Sequence, residues 1–433
     1  MTVAKSIFKP IFKSYSRKGI AGSEGGIPGL LSLWNAKTPT TCPVGPQIQT
    51  SVAGNQPDAN GNMVPWPVLH PGKGVMVQPA YSNLLQNSKF EGAVSGSPGT
   101  APTNWSLGIS SVAPYTLTVG ANGLQYTATA SRMYHYQNIN VTAGAPLSAR
   151  VKAVCDGVLN LKNIFRIGLA GGTPAYTVDN VSALDTAVPS AGEHIINITV
   201  TGGTATVANF VFGAGATETV TGTVTISNPQ LVASPYQMPY AASSAGATTS
   251  VTSTVATSSN NGLAIPLSAA MTAALSGGAF TAAALCWMGA ETTSAGGVSF
   301  LTVKDTINDL QYAVNSLTSA KIVRAYDGTT AANVDNINIH IPWPRGEIHL
   351  RVVQTNVAKT QYRVGYRRYT SAMVPIDANI VWGSWTNYDG SMNPLTHLRF
   401  GYGLTVPIGF LQTQLWAKSA SDAEILRIMG YAL

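Results

Sequence analysis

The stretch Thr219-Val220-Thr221-Gly222-Thr223-Val224-Thr225-Ile226 decides how the chain is read. Val220, Gly222, Val224 and Ile226 fall on one side of a period of two, and the threonines fall on the other. An extended backbone turns successive side chains to opposite faces, so the string predicts a strand with one buried and one polar face. Its β-branched residues fit a pleated surface. The same alternation recurs at 115–119, 137–141, 195–200 and 206–211. Short strands at this spacing, with polar turns between them, predict an antiparallel sandwich over residues 81–240.

Further along, Leu267, Met271 and Leu275 stand four apart between Pro266 and Ser276, and Gly277-Gly278 follows. This predicts a short helix with a glycine stop. Strands are expected at 280–287 and 298–303. A hairpin pair is expected at 348–353 and 362–366, with Tyr362, Val364 and Tyr366 on one face and Arg363 and Arg367 on the other. Closing strands are expected at 398–402 and 410–416. Ser421-Asp422-Ala423-Glu424 fits a capping box, with Ile425, Ile428 and Met429 on one helical face and Gly430 as the stop. Residues 241–261 are nearly all Ala, Ser, Thr and Gly, a linker composition that buries no core. The expected fold class is all-β: two antiparallel β-sandwich (jelly-roll) domains, 81–240 and 262–433, behind an irregular N-terminal arm, 1–80, with a short C-terminal helix.

Composition agrees with this layout. A chain of 433 residues suits two or three domains. Charged residues make up 10% and hydrophobic residues 45%, too few charges to furnish the polar faces of a helical protein. The formal charge of +7 is uneven, because residues 1–80 hold seven basic against two acidic residues. Glycines and prolines punctuate this segment too densely for a packed domain. Lys5, Lys9, Lys13 and Arg17 recur at four-residue spacing, with Ile7, Phe8, Ile11 and Phe12 among them. The spacing fits a basic amphipathic helix, which Pro10 interrupts, and a solvated tail fits equally. The arm is read as an attachment element, with Lys5, Lys9, Lys13, Arg17 and Lys18 as its docking residues. Pro10 and Lys13 break the only apolar stretch that resembles a leader, and no run reaches the roughly 20 apolar residues of a membrane span. A soluble protein made in the cytoplasm, without membrane insertion, is expected.

The first sandwich opens with Asn83-Leu84-Leu85-Gln86-Asn87-Ser88-Lys89-Phe90, followed by Pro102 to Trp105, and closes with Ile226-Ser227-Asn228-Pro229-Gln230-Leu231, then Pro235-Tyr236 and Pro239-Tyr240. These segments resemble the opening and closing strands of carbohydrate-binding-module-like jelly rolls in bacteriophage tail-fibre and virion proteins. Val232 stands where those modules usually carry Glu. Residues 262–433 resemble a concanavalin-like (laminin-G-like) sandwich through the early helix, the strand at 280–287, the hairpin, and the ending Leu415-Trp416 with Ala423-Glu424-Ile425. The resemblance implies a structural component of a tailed-phage virion: a fibre, collar or decoration protein. It would contact other virion proteins and form a homo-oligomer, a trimer by analogy with fibres. Modules of low net charge with flat faces of small residues agree with self-association. A receptor-binding protein for host-surface glycan is the alternative, and a polysaccharide depolymerase is the third class.

Hydrolysis of a glycosidic bond normally takes two carboxylates about 5–10 Å apart. Concanavalin-like glycosidases carry them as E-x-D-x-x-E, a string absent here. The nearest acidic pairs are Asp305 with Asp309, in a predicted turn, and Asp422 with Glu424, in the helix cap. No enzymatic activity is expected. Cys42, Cys155 and Cys286 are far apart, so neither zinc nor a disulfide framework is indicated. The six histidines are dispersed; His340 and His349 are read as outward-facing polar residues on adjacent strands. No dinucleotide, phosphate-loop or nucleophile-elbow motif occurs. No cofactor, metal or nucleic-acid partner is expected. The aromatic clusters Tyr134-His135-Tyr136 and Trp382, Trp385 and Tyr388 offer flat faces to sugar rings; feeding the core is the alternative for each.

Overall fold

The computed structural model describes residues 30–35, 49–50, 55–111, 114–255, 263–289, 298–305, 312–317, 322–326, 334–337, 345–387, 395–402 and 407–429. Strands dominate them, helices are few and short, and every registered strand pair is antiparallel. The all-β fold follows as expected.

The quoted stretch lies in the long strand Val220–Val232, between Gly123–Ser131 and Leu147–Cys155. Val224 and Ile226 are fully buried, as the alternation requires. On the other face, Thr223 and Thr127 bring their hydroxyls to 3.3 Å across the ladder. Gly222 is glycine for a steric reason, because a Cβ there would stand 2.8 Å from Leu159 and from the Asp156 carboxylate. This strand belongs to a seven-stranded sheet, which runs in space Val181–Ala183, Thr173–Val178, Gly192–Thr201, Leu147–Cys155, Val220–Val232, Gly123–Ser131, Tyr115–Gly120. Packed on it is a four-stranded sheet: Phe165–Gly168, Val207–Ala214, Met133–Asn140, Ser106–Ile109. Between them lies an aromatic core in which Trp105 meets Phe212 edge-on at 4.9 Å and Phe210 lies 5.0 Å from Phe165. Tilted and edge-on ring pairs of this kind add to plain burial.

The second sandwich pairs two larger sheets. One follows the path Val381–Trp382, Gln361–Tyr369, Ile348–Thr355, Thr281–Met288, Ile408–Trp416, Gly74–Val77, Leu69–His70, with Leu30–Asn35 also on Ile408–Trp416 and Thr386–Asn387 on Gln361–Tyr369. The other runs Gln49–Thr50, Leu263–Pro266, Leu395–Tyr402, Val298–Asp305, Tyr312–Leu317, Ile322–Tyr326, Val334–Ile337. Both faces of the first sheet are covered. Ala282, Ala284, Cys286 and Met288 face the inter-sheet core, whereas Ala283, Leu285 and Trp287 face a second cluster with Trp416 and Ile425. That is why this strand reads as a continuous apolar run rather than an alternation. The C-terminal helix Asp422–Met429 supplies Ile425, and its capping box is present: Ser421 N donates to Glu424 Oε2 at 2.9 Å. The helix Ala269–Gly277 is capped by Ser268, which accepts from Met271 N.

Two segments differ from their expected character. Residues 1–80 are not an independent irregular arm where they are described, because Leu30–Asn35, Gln49–Thr50, Leu69–His70 and Gly74–Val77 are strands of the second sandwich. Trp66, Val75 and Val77 enter its core. The prolines and glycines cut this segment into strands of two to six residues, too short to show a period; residues 408–416 supply the ladder for Leu30–Asn35 and Gly74–Val77, whereas Leu69–His70 pairs with Gly74–Val77 and Gln49–Thr50 with Leu263–Pro266. Residues 1–29 lie outside the described part, and with them Lys5, Lys9, Lys13, Arg17, Lys18 and the basic helical spacing. The expected linker is likewise packed over residues 241–255. Ala241, Ser243 and Thr254 are fully buried, and Thr249–Val251 pairs with Tyr81–Asn83. Small side chains let its backbone approach the neighbouring strands, and hydroxyls and backbone amides supply the contacts: Ser88 N donates to Ser243 Oγ, and Gln78 N to Thr254 Oγ1.

The chain therefore begins the second sandwich, leaves it after Val77 to build the whole of the first, and returns at Leu263 to finish. The first sandwich is an insertion within the second.

Candidate functional site

The outward face of the four-stranded sheet gathers the residues best placed to meet a ligand. In the strand Met133–Asn140, His135 and Gln137 turn into the core and Tyr134, Tyr136 and Asn138 turn out. The Tyr134 and Tyr136 rings lie 6.2 Å apart at 42°, half-buried and open to one side. Tyr134 is laid flat by its neighbours: a Cβ on Gly108 would stand 2.2 Å from Tyr134 Cζ, so only glycine leaves room for the ring. The Arg132 guanidinium stands 5.0 Å from the Tyr134 ring centre and is anchored by its Nε to Gly215 O at 2.9 Å.

The register extends this strip across the sheet. Tyr136 faces Val211, and Val211 faces Arg166; Asn138 faces Asn209, whose Nδ2 donates to Asn138 Oδ1 at 2.8 Å. Arg166 Nε is buried without a hydrogen-bond partner among the described residues. The face thus offers two aromatic rings, two cations and an amide pair on one side of the sheet. Flat rings take the apolar faces of a saccharide, and amide and guanidinium groups take its hydroxyls or acidic groups. The sequence identified Tyr134 and Tyr136 but not Arg132, Arg166, Asn138 or Asn209. Their signal lies in strand register, which here pairs residues about 45 to 75 positions apart.

The inward partner His135 is structural. Its Nδ1 and the Tyr126 hydroxyl share a hydrogen bond of 2.6 Å, and burial pushes the imidazole down to about 4.

The second aromatic cluster is arranged differently. The Arg363 guanidinium is held between Trp382 and Trp385, at 3.9 Å and 4.5 Å from their ring centres, and Gln354 Oε1 accepts from it. Trp382 Nε1 donates to Asp422 Oδ1 at 2.9 Å, which ties the strand Val381–Trp382 to the C-terminal helix. Stacking of this kind fixes a loop as readily as it binds a ligand. Trp385 is the more exposed ring of the two. Tyr388 lies outside the described residues.

The carboxylates are largely engaged in holding the chain. Glu424 accepts from Lys418 and Ser421 and is held down at about 2 by these bonds. Asp156 accepts from the backbone of Val158 and Thr223. Asp377 holds Arg368 through two nitrogens, and Lys152 pairs with Glu193 at 2.7 Å. Burial raises Glu347, but its Oε2 meets His349 Nε2 at 2.9 Å rather than an open cleft. His349 itself is fully buried and bonded to Arg351, not outward-facing as expected; both faces of its sheet are covered, so no position on that strand reaches solvent. His340 and Asp309 lie outside the described residues. Cys155 and Cys286 are free and buried, and burial raises the Cys155 thiol to about 12. Among the described residues no three His, Cys, Asp or Glu side chains are grouped to hold a metal, and no helix is long and apolar enough to cross a membrane.

No protein-family model and no curated protein matches the chain. Among solved structures, it is similar over 38% of its length to a Trypanosoma rangeli sialidase in complex with sialic acid, at 14% identity and a TM-score of 0.26, covering 25% of that chain. A Paenibacillus cycloisomaltooligosaccharide glucanotransferase complexed with cycloisomaltoheptaose is similar at 9% identity and a TM-score of 0.14, over 78% of this chain and 46% of that one. The chain thus spans a quarter of the sialidase and less than half of the glucanotransferase, and TM-scores this low mark no shared overall arrangement.

Proposed function

We propose that this chain is a non-catalytic appendage of a tailed-bacteriophage particle, attached through residues N-terminal to Leu30 and presenting its two sandwiches outward. The observation that carries the reading is the closure of the first sandwich. Its opening and closing segments, which resemble phage modules at the level of sequence, meet in one buried hydrogen-bond knot. Asn83 Nδ2 donates to Ala241 O at 2.8 Å, and Asn83 Oδ1 accepts from Leu85 N and Leu231 N. Gln230 Oε1 accepts from Ala241 N, and its Nε2 donates to Pro239 O. Trp105 Nε1 donates to Asn87 O. The two sequence segments are parts of one structural device, so their joint resemblance concerns a whole module. The engaged carboxylates support a binding rather than a hydrolytic role.

The test is incorporation. A chain lacking residues 1–29 is expected to fold and to be absent from purified particles, whereas the full chain, carrying an epitope label, decorates them at a fixed position by electron microscopy. Assembly of the truncated chain at normal copy number would refute attachment through that segment. Self-association is part of the same proposal: light scattering on the isolated chain is expected to give three times the mass of 45.1 kDa, and a persistent monomer at high concentration contradicts it.

The exposed strip around Tyr134 favours a second, compatible reading, in which the appendage grips surface glycan. Tyr136→Ala is expected to weaken adsorption to host cells by about tenfold, the worth of roughly one lost stacking contact. Unchanged adsorption with a normally folded variant would remove this face from consideration.

A further inference from the structure

A cleft of about 480 Å³ lies where the inserted sandwich meets the second one and the strands before it. Its size falls within the roughly 300–1,000 Å³ of small-molecule sites. Three parts of the chain each send a cation into it: Lys73 from the N-terminal strands, Arg150 from the outer face of the seven-stranded sheet, and Arg345 from the second sandwich. Arg150 Nε and Arg345 Nε are both buried without a hydrogen-bond partner, and no carboxylate among the described residues forms an ion pair with any of the three. Lys73 Nζ instead stands 4.7 Å from the Trp287 ring centre.

The two acids on the lining do not neutralise them. Asp58 is turned back on its own loop and accepts from Asn60 N and Asn62 N; Asp179 accepts from Ile195 N and His194 Nδ1. The cations also act on one another. Burial, then Arg150 and Arg345, push the Lys73 ammonium down to about 8, and burial with Arg150 pushes Arg345 down to about 9. Sequestered like charges with unfilled donors destabilise a fold unless something neutralises them. An oxyanion between the two guanidinium groups is the complement of that arrangement, since guanidinium forks match the two oxygens of a carboxylate. Among the rest of the lining, Asn180, Asn197 and Ser371 are of the kind that pairs with hydroxyls, and Met76, Ile195, Met238 and Trp287 add apolar surface.

We propose that this cleft binds an acidic sugar, with its carboxylate held by Arg150, Arg345 and Lys73 and its hydroxyls by the Asn180 and Asn197 amides. The inference is independent of where the protein is mounted and of the face around Tyr134. A site shared between the two sandwiches also gives the ligand a means of stiffening their junction, because anything bound only when they are docked stabilises the docked form.

Calorimetric titration of the full chain at constant ionic strength tests it, with glucuronic acid, N-acetylneuraminic acid, neutral glucose and inorganic sulfate as probes. At least one acidic sugar is expected to bind, and neutral glucose to bind at least about tenfold more weakly. Arg150→Gln and Arg345→Gln are each expected to lower the affinity by about tenfold or more. Without ligand, Arg150→Gln is expected to raise the melting temperature, because it removes one of three mutually repelling charges. Absence of binding by both acidic sugars overturns the proposal, as does sulfate binding as tightly as the sugar acids, which would mark an adventitious ion only. A lower melting temperature or loss of folding in Arg150→Gln also overturns it, since the arginine would then be part of the scaffold.

Discussion

At the scale of single residues, two kinds of buried polar group carry different consequences. Asn83 is fully buried and uses both its amide and its carbonyl to join strands nearly 150 positions apart in sequence. Asn83→Ala leaves several backbone groups without partners, and the expected loss is about 3 kcal/mol in urea denaturation. The buried histidines act through pH. Burial pushes His135 and His70 down to about 4 from an ordinary 6.5, with Lys73 adding to the effect on His70, and holds His349 well below its usual range. The unfolded chain takes up these protons as the pH falls through 6.5, whereas the folded chain resists until about 4. Stability is therefore fully present above 6.5 and is lost progressively between 6.5 and 4. Comparison of urea midpoints at about pH 7.5 and about pH 5 should show a smaller acid loss for His135→Phe, by about 2 kcal/mol. An unchanged loss would place the acid sensitivity elsewhere. Sequence reading identified Asn83 only as part of a motif and left the role of His135 open, because neither a hydrogen-bond knot nor a neutral core imidazole leaves a local pattern.

At the scale of elements, legibility followed amphipathicity. Strands with one wet face, such as Val220–Val232 and Tyr115–Gly120, announce themselves by alternation, and the capped helix Asp422–Met429 by its box and stripe. Short strands between prolines, such as Leu69–His70 and Gly74–Val77, show no period at all. The register of Gly74–Val77 comes from Ile408–Trp416, more than three hundred residues later, and Leu69–His70 pairs in turn with Gly74–Val77. The segment 241–255 was misleading for a related reason: Ala, Ser and Thr make a poor core but a good close-packing spacer. Deletion of residues 1–77 is thus expected to strip Leu30–Asn35 and Gly74–Val77 from the second sandwich and expose the edges of Ile408–Trp416. Aggregation or loss of the cooperative melt should follow, whereas deletion of 1–29 alone should leave the melting curve unchanged. Equal behaviour of the two truncations would show that the strands before Val77 are dispensable.

At the scale of the whole molecule, the insertion of one sandwich within the other ties distant parts of the chain together. The segment 241–255 is packed against residues 56, 78, 83 and 88. Limited proteolysis is therefore expected to spare it and not to release two resistant halves by a cut there; rapid cleavage within 241–255 would contradict the packing. The candidate glycan face was half legible, since Tyr134 and Tyr136 are neighbours in sequence while Arg166 and Asn209 join them only through pairing. The cationic cleft was not legible at all, because Lys73, Arg150 and Arg345 come from three regions that only the insertion brings together. The same topology has a mechanical meaning. A pull applied at Leu30 and at Trp416 acts on two directly paired residues of the ladder between Leu30–Asn35 and Ile408–Trp416. Tension is carried across that one ladder and bypasses the inserted sandwich, which stays off the load path until the ladder yields.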